Sequence, residues 1–318
     1  MQLRSHIEKN EPNMKISRGS QKKTDKISEL PNCILLYTMT FLSTLEVVRT
    51  SVLSKRWKDL WKYTSNLITK NTQFQTTTNF RSFVNKFLTH RDRSSSLHKV
   101  VVDYDGFISF QILTKLFRYK MSHKMESITI NTFGAGYKHQ NIEITNILLS
   151  CRFLKHLELS FRKTRGKVIF SQNLDLLELT YCHLKEVSFS SSDENTCVNP
   201  FSRCKKLSTL IIDCCNLIGT EILFVSNDNI SNLSIRFDKG CVYKYKIQMN
   251  TPNLKTFTFV GHLVYPHLTH PVFVPGLKLL EEKSFELWFP RSAIEYANIL
   301  MNRLKVPNAS QYVEVRNY

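Results

Sequence analysis

The 318-residue sequence has none of the short motifs that mark a catalytic centre. It contains no GxxxxGK[ST] phosphate loop, no HExxH zinc helix, no GxSxG nucleophile elbow and no paired-cysteine zinc spacing. No catalytic residue, no metal site and no cofactor are therefore expected. No window approaches the roughly 18 uninterrupted apolar residues of a membrane span, and the N-terminus is polar where a signal peptide carries an apolar run. The chain thus reads as intracellular, nuclear and/or cytoplasmic, without a membrane partner. Its eight cysteines form no CxxC pair, and in a reducing compartment they are expected as thiols, mostly small buried hydrophobes. Acidic side chains are scarce, 26 against 44 lysines and arginines, for a formal charge of +18. That balance points to nucleic acid or to acidic proteins as partners and does not choose between them.

Tryptophan is also rare, with three in the chain, yet two of them fall in SVLSKRWKDLW at residues 51–61. Helical spacing puts Leu53, Trp57, Leu60 and Trp61 on one face, with Lys55, Lys58 and Asp59 elsewhere. Upstream, Pro31 suits the first turn of a helix carrying Ile34, Leu35, Phe41 and Leu42. Thr44 can cap a second short helix with Leu45, Val47 and Val48. Three short helices within forty residues share little interior, so part of their apolar surface is expected to face a partner.

Residues 25–67 resemble an F-box, in the version found in plant F-box proteins with leucine-rich repeats. The resemblance is carried by Ile27-Ser28-x-Leu30-Pro31, by Phe41-Leu42, by Thr50-Ser51-Val52-Leu53-Ser54-Lys55-Arg56-Trp57 and by Leu60-Trp61. Asn32-Cys33, Thr38-Met39 and Ser43 depart from the usual pattern. The resemblance implies that the module docks on a Skp-type adaptor, which bridges to a cullin and a RING subunit. By the same analogy Leu30, Pro31, Ile34, Leu35, Val48, Val52, Leu53 and Trp57 are the adaptor contacts, with Trp57 docking and Trp61 bracing.

Residues 1–24 read as a disordered basic tail. Phe80, Phe83, Val84, Phe87 and Leu88 have helical spacing after an Asn79 cap, giving a linking helix and turn over 68–96. Beyond it, apolar-x-x-apolar-x-apolar triplets start at Leu97, Met125, Leu154, Leu174, Leu207, Ile230 and Leu254. Their offsets of 28, 29, 20, 33, 23 and 24 residues bracket the roughly 20 to 29 of leucine-rich repeats, with one longer unit. Two units carry the full motif, Leu174-x-x-Leu177-x-Leu179-x-x-Cys182-x-Leu184 and Leu207-x-x-Leu210-x-Ile212-x-x-Cys215-x-Leu217. Cys182 and Cys215 should then sit in the turn beyond each strand and bond backbone groups between coils. Phe285-x-Leu287-x-Phe289 extends the rhythm, so repeats are assigned to 97–290 and a C-terminal cap, with a helix at Ser292 to Leu304, to 291–318. Longer relatives carry a further C-terminal domain not evident here, so the chain reads as a short or truncated member.

The expected architecture is α + α/β: a small three-helix F-box followed by a horseshoe-like leucine-rich-repeat solenoid with short parallel strands. Asp103-Tyr104-Asp105-Gly106 and Gly134-Ala135-Gly136 read as turns, and Cys214-Cys215 and Cys182-His183 as repeat residues. Residues between the inward positions should face the concave side and meet a target, namely Lys155, His156, Glu158, Glu178, Ser208, Thr209, Ser234, Lys255 and Thr256. The leading reading is a non-catalytic substrate receptor of a Skp-cullin-F-box ubiquitin ligase. A basic, nucleic-acid-associated scaffold with a degenerate F-box stands as the alternative.

Overall fold

A computed structural model of the chain describes residue 27, most of 29–105, 124–133, 151–162, 168–190 and 197–237, residues 246–260, the backbone of 284–288 and a few positions between. The tail 1–24, Gly134-Ala135-Gly136 and the helix expected at Ser292 to Leu304 lie outside the described residues.

The N-terminal module comprises α1 (Asn32–Met39), α2 (Thr44–Arg49) and α3 (Trp57–Leu60), with a 3-10 turn on each side of α3. Pro31 stands at the start of α1 as expected. At α2 the cap is Ser43, not Thr44: the Ser43 hydroxyl accepts from Glu46 N, and the Glu46 carboxylate accepts from Ser43 N at 2.8 Å. This reciprocal box satisfies two backbone donors that the helix itself cannot. Thr44 instead accepts from the amide of Ile68 at 2.8 Å and so ties the module to the first strand of the sheet beyond it. The module's own core is five residues: Leu35, Met39, Val47, Trp57 and Leu60.

Among the described residues sixteen strands succeed the module, beginning with β1 (Asn66–Lys70), β2 (Lys99–Asp105), β3 (Ser127–Phe133), β4 (Ile142–Glu143), β5 (His156–Arg162) and β6 (Val168–Phe170). Next come β7 (Tyr181–Lys185), β8 (Ser188–Ser190), β9 (Cys197–Val198), β10 (Thr209–Asp213), β11 (Asn216–Ile218) and β12 (Ile222–Ser226). β13 (Asn232–Arg236), β14 (Lys246–Asn250), β15 (Thr256–Val260) and β16 (Ser284–Trp288) complete the series. Nine of them form one parallel sheet in the order β1-β2-β3-β5-β7-β10-β13-β15-β16. The remaining strands form two smaller parallel sheets, β11-β8-β6-β4 and β14-β12-β9. Between β1 and β2, α4 (Thr77–His90) buries Phe80, Val84, Phe87 and Leu88; its cap is Thr76, whose hydroxyl accepts from Asn79 N.

The large sheet is a leucine-rich-repeat-type solenoid, and its register explains its closure. Val100, Ile128, Leu157, Cys182, Leu210, Leu233 and Phe257 pair in one row, and Val102, Ile130, Leu159, Leu184, Ile212 and Ile235 in the next. No residue in either row is more than 2% exposed. Each coil alone could not bury these side chains, so stability comes from stacking on its neighbours. At the start of each strand, one carbonyl of the preceding coil accepts two amides, as Glu126 O does from Lys155 N (2.8 Å) and His156 N (3.0 Å). At the far end Glu186 and Cys214 take positive φ (54° and 50°), and each donates its amide at 2.8 Å to the last carbonyl of the next strand, Asp213 and Arg236 respectively.

Further expectations change. The repeat strand of the fourth unit is β7, so its triplet is Leu179-x-x-Cys182-x-Leu184 and not the one starting at Leu174. With a start at Leu179 the offsets of 20 and 33 become 25 and 28, and the long unit disappears. Cys182 is therefore an inward strand residue, whereas Cys215 does bond between coils, donating to Leu184 O at 3.2 Å. Asp103, Tyr104 and Asp105 belong to β2 and form no turn. The sheet also starts earlier than the triplets indicate, because β1 already pairs with β2 from Asn66↔Lys99 to Lys70↔Asp103. Finally, Cys214 is disulfide-bonded, so not every cysteine is a thiol.

Candidate interaction surfaces

Two surfaces stand out. The first is on the helical module, where Ile27, Leu30, Ile34, Tyr37, Phe41 and Leu42 are exposed together with Val52 (86%) and Leu53 (65%). α1 and the turn after α2 are too short to turn every apolar residue inward, and five buried side chains already fill the interior. Arg56 ties these segments together from below, donating Nε to Asn32 Oδ1 at 2.8 Å and a terminal nitrogen to the Leu30 carbonyl. Of the eight positions expected to meet an adaptor, Leu30, Pro31, Ile34, Val52 and Leu53 are exposed. Leu35 (1%) and Trp57 (8%) are not available, because they form the module's own core. Val48 is half-buried against the solenoid. Both tryptophans thus brace: Trp57 inside the module, and Trp61 between its core and the solenoid, 5.8 Å from the Phe87 ring.

The second surface is a concave groove of about 630 Å³ along the C-terminal ends of β1 to β13. Its floor is one register row, Lys70↔Asp103↔Asn131↔Ser160↔Lys185↔Asp213↔Arg236. Lys70 Nζ lies 3.4 Å from Asp103, which also accepts from Asn131 at 2.9 Å. Lys185 Nζ lies 2.6 Å from Asp213 Oδ2. In the row behind, Glu158 is 3.5 Å from His183 Nδ1 and 3.9 Å from His156 Nε2. His183 Nε2 faces Asp213 Oδ2 at 4.0 Å, too long for a hydrogen bond. Burial pushes both histidines below the ordinary histidine range, and the carboxylates offset this only in part. His156 stacks on Tyr181 with ring centroids 4.3 Å apart and planes 2° from parallel.

Of the positions expected to meet a target, Glu158 lines this groove. His156, Thr209 and Ser234 occupy concave positions on its strands, though Ser234 is nearly closed off, and Thr256 lies on β15 beyond the groove. Lys155, Glu178, Ser208 and Lys255 are not on strands; they precede them, on the opposite edge of the sheet. There Lys155 pairs with Glu126 at 3.1 Å, Lys206 with Glu178 at 2.8 Å, and the Ser208 hydroxyl donates to Thr180 O at 3.0 Å. The floor residues Lys185, Asp213 and Arg236 escaped the sequence reading. Each directly follows the second inward apolar residue of its repeat, Leu184, Ile212 and Ile235, so the corrected register would have found them.

Three buried cysteines of the repeats are held as thiols. Burial pushes the Cys204 thiol up to about 11 and that of Cys215 up to about 12, and it raises Cys182 well above the usual range. A thiol held protonated in this way is a poor nucleophile. Among the described residues no group of histidine, cysteine or carboxylate side chains is arranged to hold a metal, and no helix is long and apolar enough to cross a membrane.

Residues 27–69 match the F-box domain. The chain is similar to F-box/LRR-repeat protein 13 of Arabidopsis thaliana, at 26% identity over 263 residues, which is 78% of this chain and 54% of that protein. A putative F-box/FBD/LRR-repeat protein of the same plant is 28% identical over 250 residues, 74% of this chain and 49% of that one. An FBD-associated F-box protein, also from Arabidopsis thaliana, reaches 34% over 181 residues, 55% of this chain and 37% of its own length. The chain spans about half the length of the curated relatives it matches.

Proposed function

We propose, from an F-box fixed to one end of a leucine-rich-repeat solenoid, that the chain is the substrate-recognition subunit of a Skp-cullin-F-box ubiquitin ligase. The observation that carries this reading is the exposed apolar face of the F-box. Burying Ile34, Val52 or Leu53 in a partner is favourable by roughly 1.5 to 3 kcal/mol each, whereas in the free chain they stand in water. A Skp-type adaptor is the partner that an F-box implies, with cullin and RING subunits reached through it. The solenoid then holds a target protein near the loaded ubiquitin, so that the contribution to the reaction is proximity without acyl or proton chemistry of its own.

The alternative of a nucleic-acid scaffold rests on the net charge, which the groove does not supply. Its four cations, Lys70, Arg162, Lys185 and Arg236, are offset by Asp103, Asp105, Glu158 and Asp213. A phosphodiester backbone needs a continuous basic track.

A pulldown with purified Skp-type adaptor tests the reading. The wild type should be retained, and a Val52→Asp, Leu53→Asp variant should lose retention while its circular dichroism and melting temperature stay unchanged. Trp57→Ala is the contrasting control, since it should lower the stability of the F-box by about 3 to 5 kcal/mol. A folded wild type that is not retained would sink the proposal.

A further inference from the structure

We propose that the β5 to β13 half of the groove takes an acidic, carboxylate-bearing segment of a target protein in extended conformation, held at two points by Arg162 and Arg236. This rests on the reading of the solenoid as the target-binding arm and adds the chemistry of what that arm accepts.

The argument is an imbalance of engaged charges. In the floor Asp103 is held by Lys70 and Asn131 and Asp213 by Lys185, and in the row behind Glu158 lies 3.5 Å from His183 Nδ1. The two arginines are not so held. Both are exposed at strand ends, and among the described residues neither lies within ion-pair distance of a carboxylate. Arg236, which lines the groove, donates its Nε to Ser234 Oγ at 3.1 Å, and this steadies the guanidinium. Guanidinium groups present paired donors that match a carboxylate, and among the described residues neither of these two has one.

Orientation is set by the other end of the groove. Asp105, Phe133 and Arg162 share one register row, with the half-exposed Phe133 between the acid and the base. Asp103 and Asp105 on β2 repel an anion, so the acidic part of the ligand lies over β5 to β13, and Phe133 offers it an apolar contact at the boundary. Strands about 4.8 Å apart, with a rise of about 3.3 Å per residue, place Arg236 on the order of 15 Å from Arg162. An extended peptide covers that span in about four to five residues. The +18 charge of the chain draws such a segment in from a distance.

The test uses the full chain bound to its adaptor and fluorescein-labelled Gly/Ser peptides carrying two glutamates four or five residues apart, with glutamine and lysine versions as controls, read by fluorescence anisotropy. The glutamate peptide should bind at least about five-fold more tightly than the glutamine one, and Arg162→Glu and Arg236→Glu should each remove most of that preference. Both positions are exposed, so these variants should retain the adaptor and the wild-type melting temperature; that separates failure of this inference from failure of the receptor reading. Equal affinity for the glutamate and glutamine peptides up to millimolar concentration overturns it. So does a preference for the lysine peptide, or tighter binding of a single-stranded oligonucleotide that the same two variants abolish.

Discussion

Lys185 and Asp213 form an ion pair whose side chains are only 10% and 7% exposed, so neither charge can fall back on water if the other is removed. Lys185→Met should therefore lower the unfolding free energy by about 3 to 5 kcal/mol, because it leaves a buried carboxylate uncompensated. Adding Asp213→Leu to that variant should recover most of the loss, since two well-packed apolar side chains need no partner. Urea denaturation of the wild type and the two variants measures this. An equal loss in both variants would mean that packing, and not the uncompensated charge, is what Lys185 supplies. The pair Asp59–Lys62, at 2.7 Å, is almost as short but lies in solvent, and Lys62→Met should leave the urea midpoint where it is. Burial decides which of two similar contacts matters.

At the scale of the strand and its turn, Leu177 and Leu179 separate two readings of one stretch of sequence. Leu179 is fully buried and starts the repeat that contains β7, whereas Leu177 is 50% exposed. Leu179→Ala should cost about 2 to 5 kcal/mol and Leu177→Ala less than about 0.5 kcal/mol, by urea denaturation. The reverse order would restore the register starting at Leu174. Both registers satisfy the apolar pattern because Leu174-Asp175-Leu176-Leu177-Glu178-Leu179 is rich in leucine, and only even spacing of the strands distinguishes them. The triplets at Leu97, Leu154, Ile230 and Leu254 were legible because no second triplet overlaps them. β1 was not, since its sequence NLITK offers one large inward residue, Leu67, and a polar second, Thr69. The F-box was legible as a pattern, but periodicity places Trp57 and Leu53 on one face without saying which part of that face the module needs for itself. The floor of the groove was hidden for another reason: its charges come from strands far apart in sequence, and only the pairing register puts them in one row.

The whole molecule depends on how a five-residue helical core is held to a solenoid. The joint includes Trp61 against Phe87, the Thr44 hydroxyl on Ile68 N, the Asn66 amide on Thr40 O at 3.5 Å, and the buried Arg91, which donates to the carbonyls of Thr64, Ser95 and Ser96. Among the described residues Trp61 alone packs on both cores, so it transmits the solenoid's stability to the F-box. The coils beyond β2 contact only their neighbours and should not register its loss. Trp61→Ala should accordingly speed amide exchange throughout residues 32–63, while the amides of β5, β7 and β10 keep their protection. The local loss should be about 3 kcal/mol, since a large, half-enclosed aromatic is removed from between two surfaces. Adaptor affinity should fall with it, because an F-box that opens part of the time offers its apolar face in the right shape for only a fraction of encounters. If exchange instead rises evenly from the F-box through β10, the joint and the coils unfold together, and the solenoid is a single cooperative block with the F-box built into it.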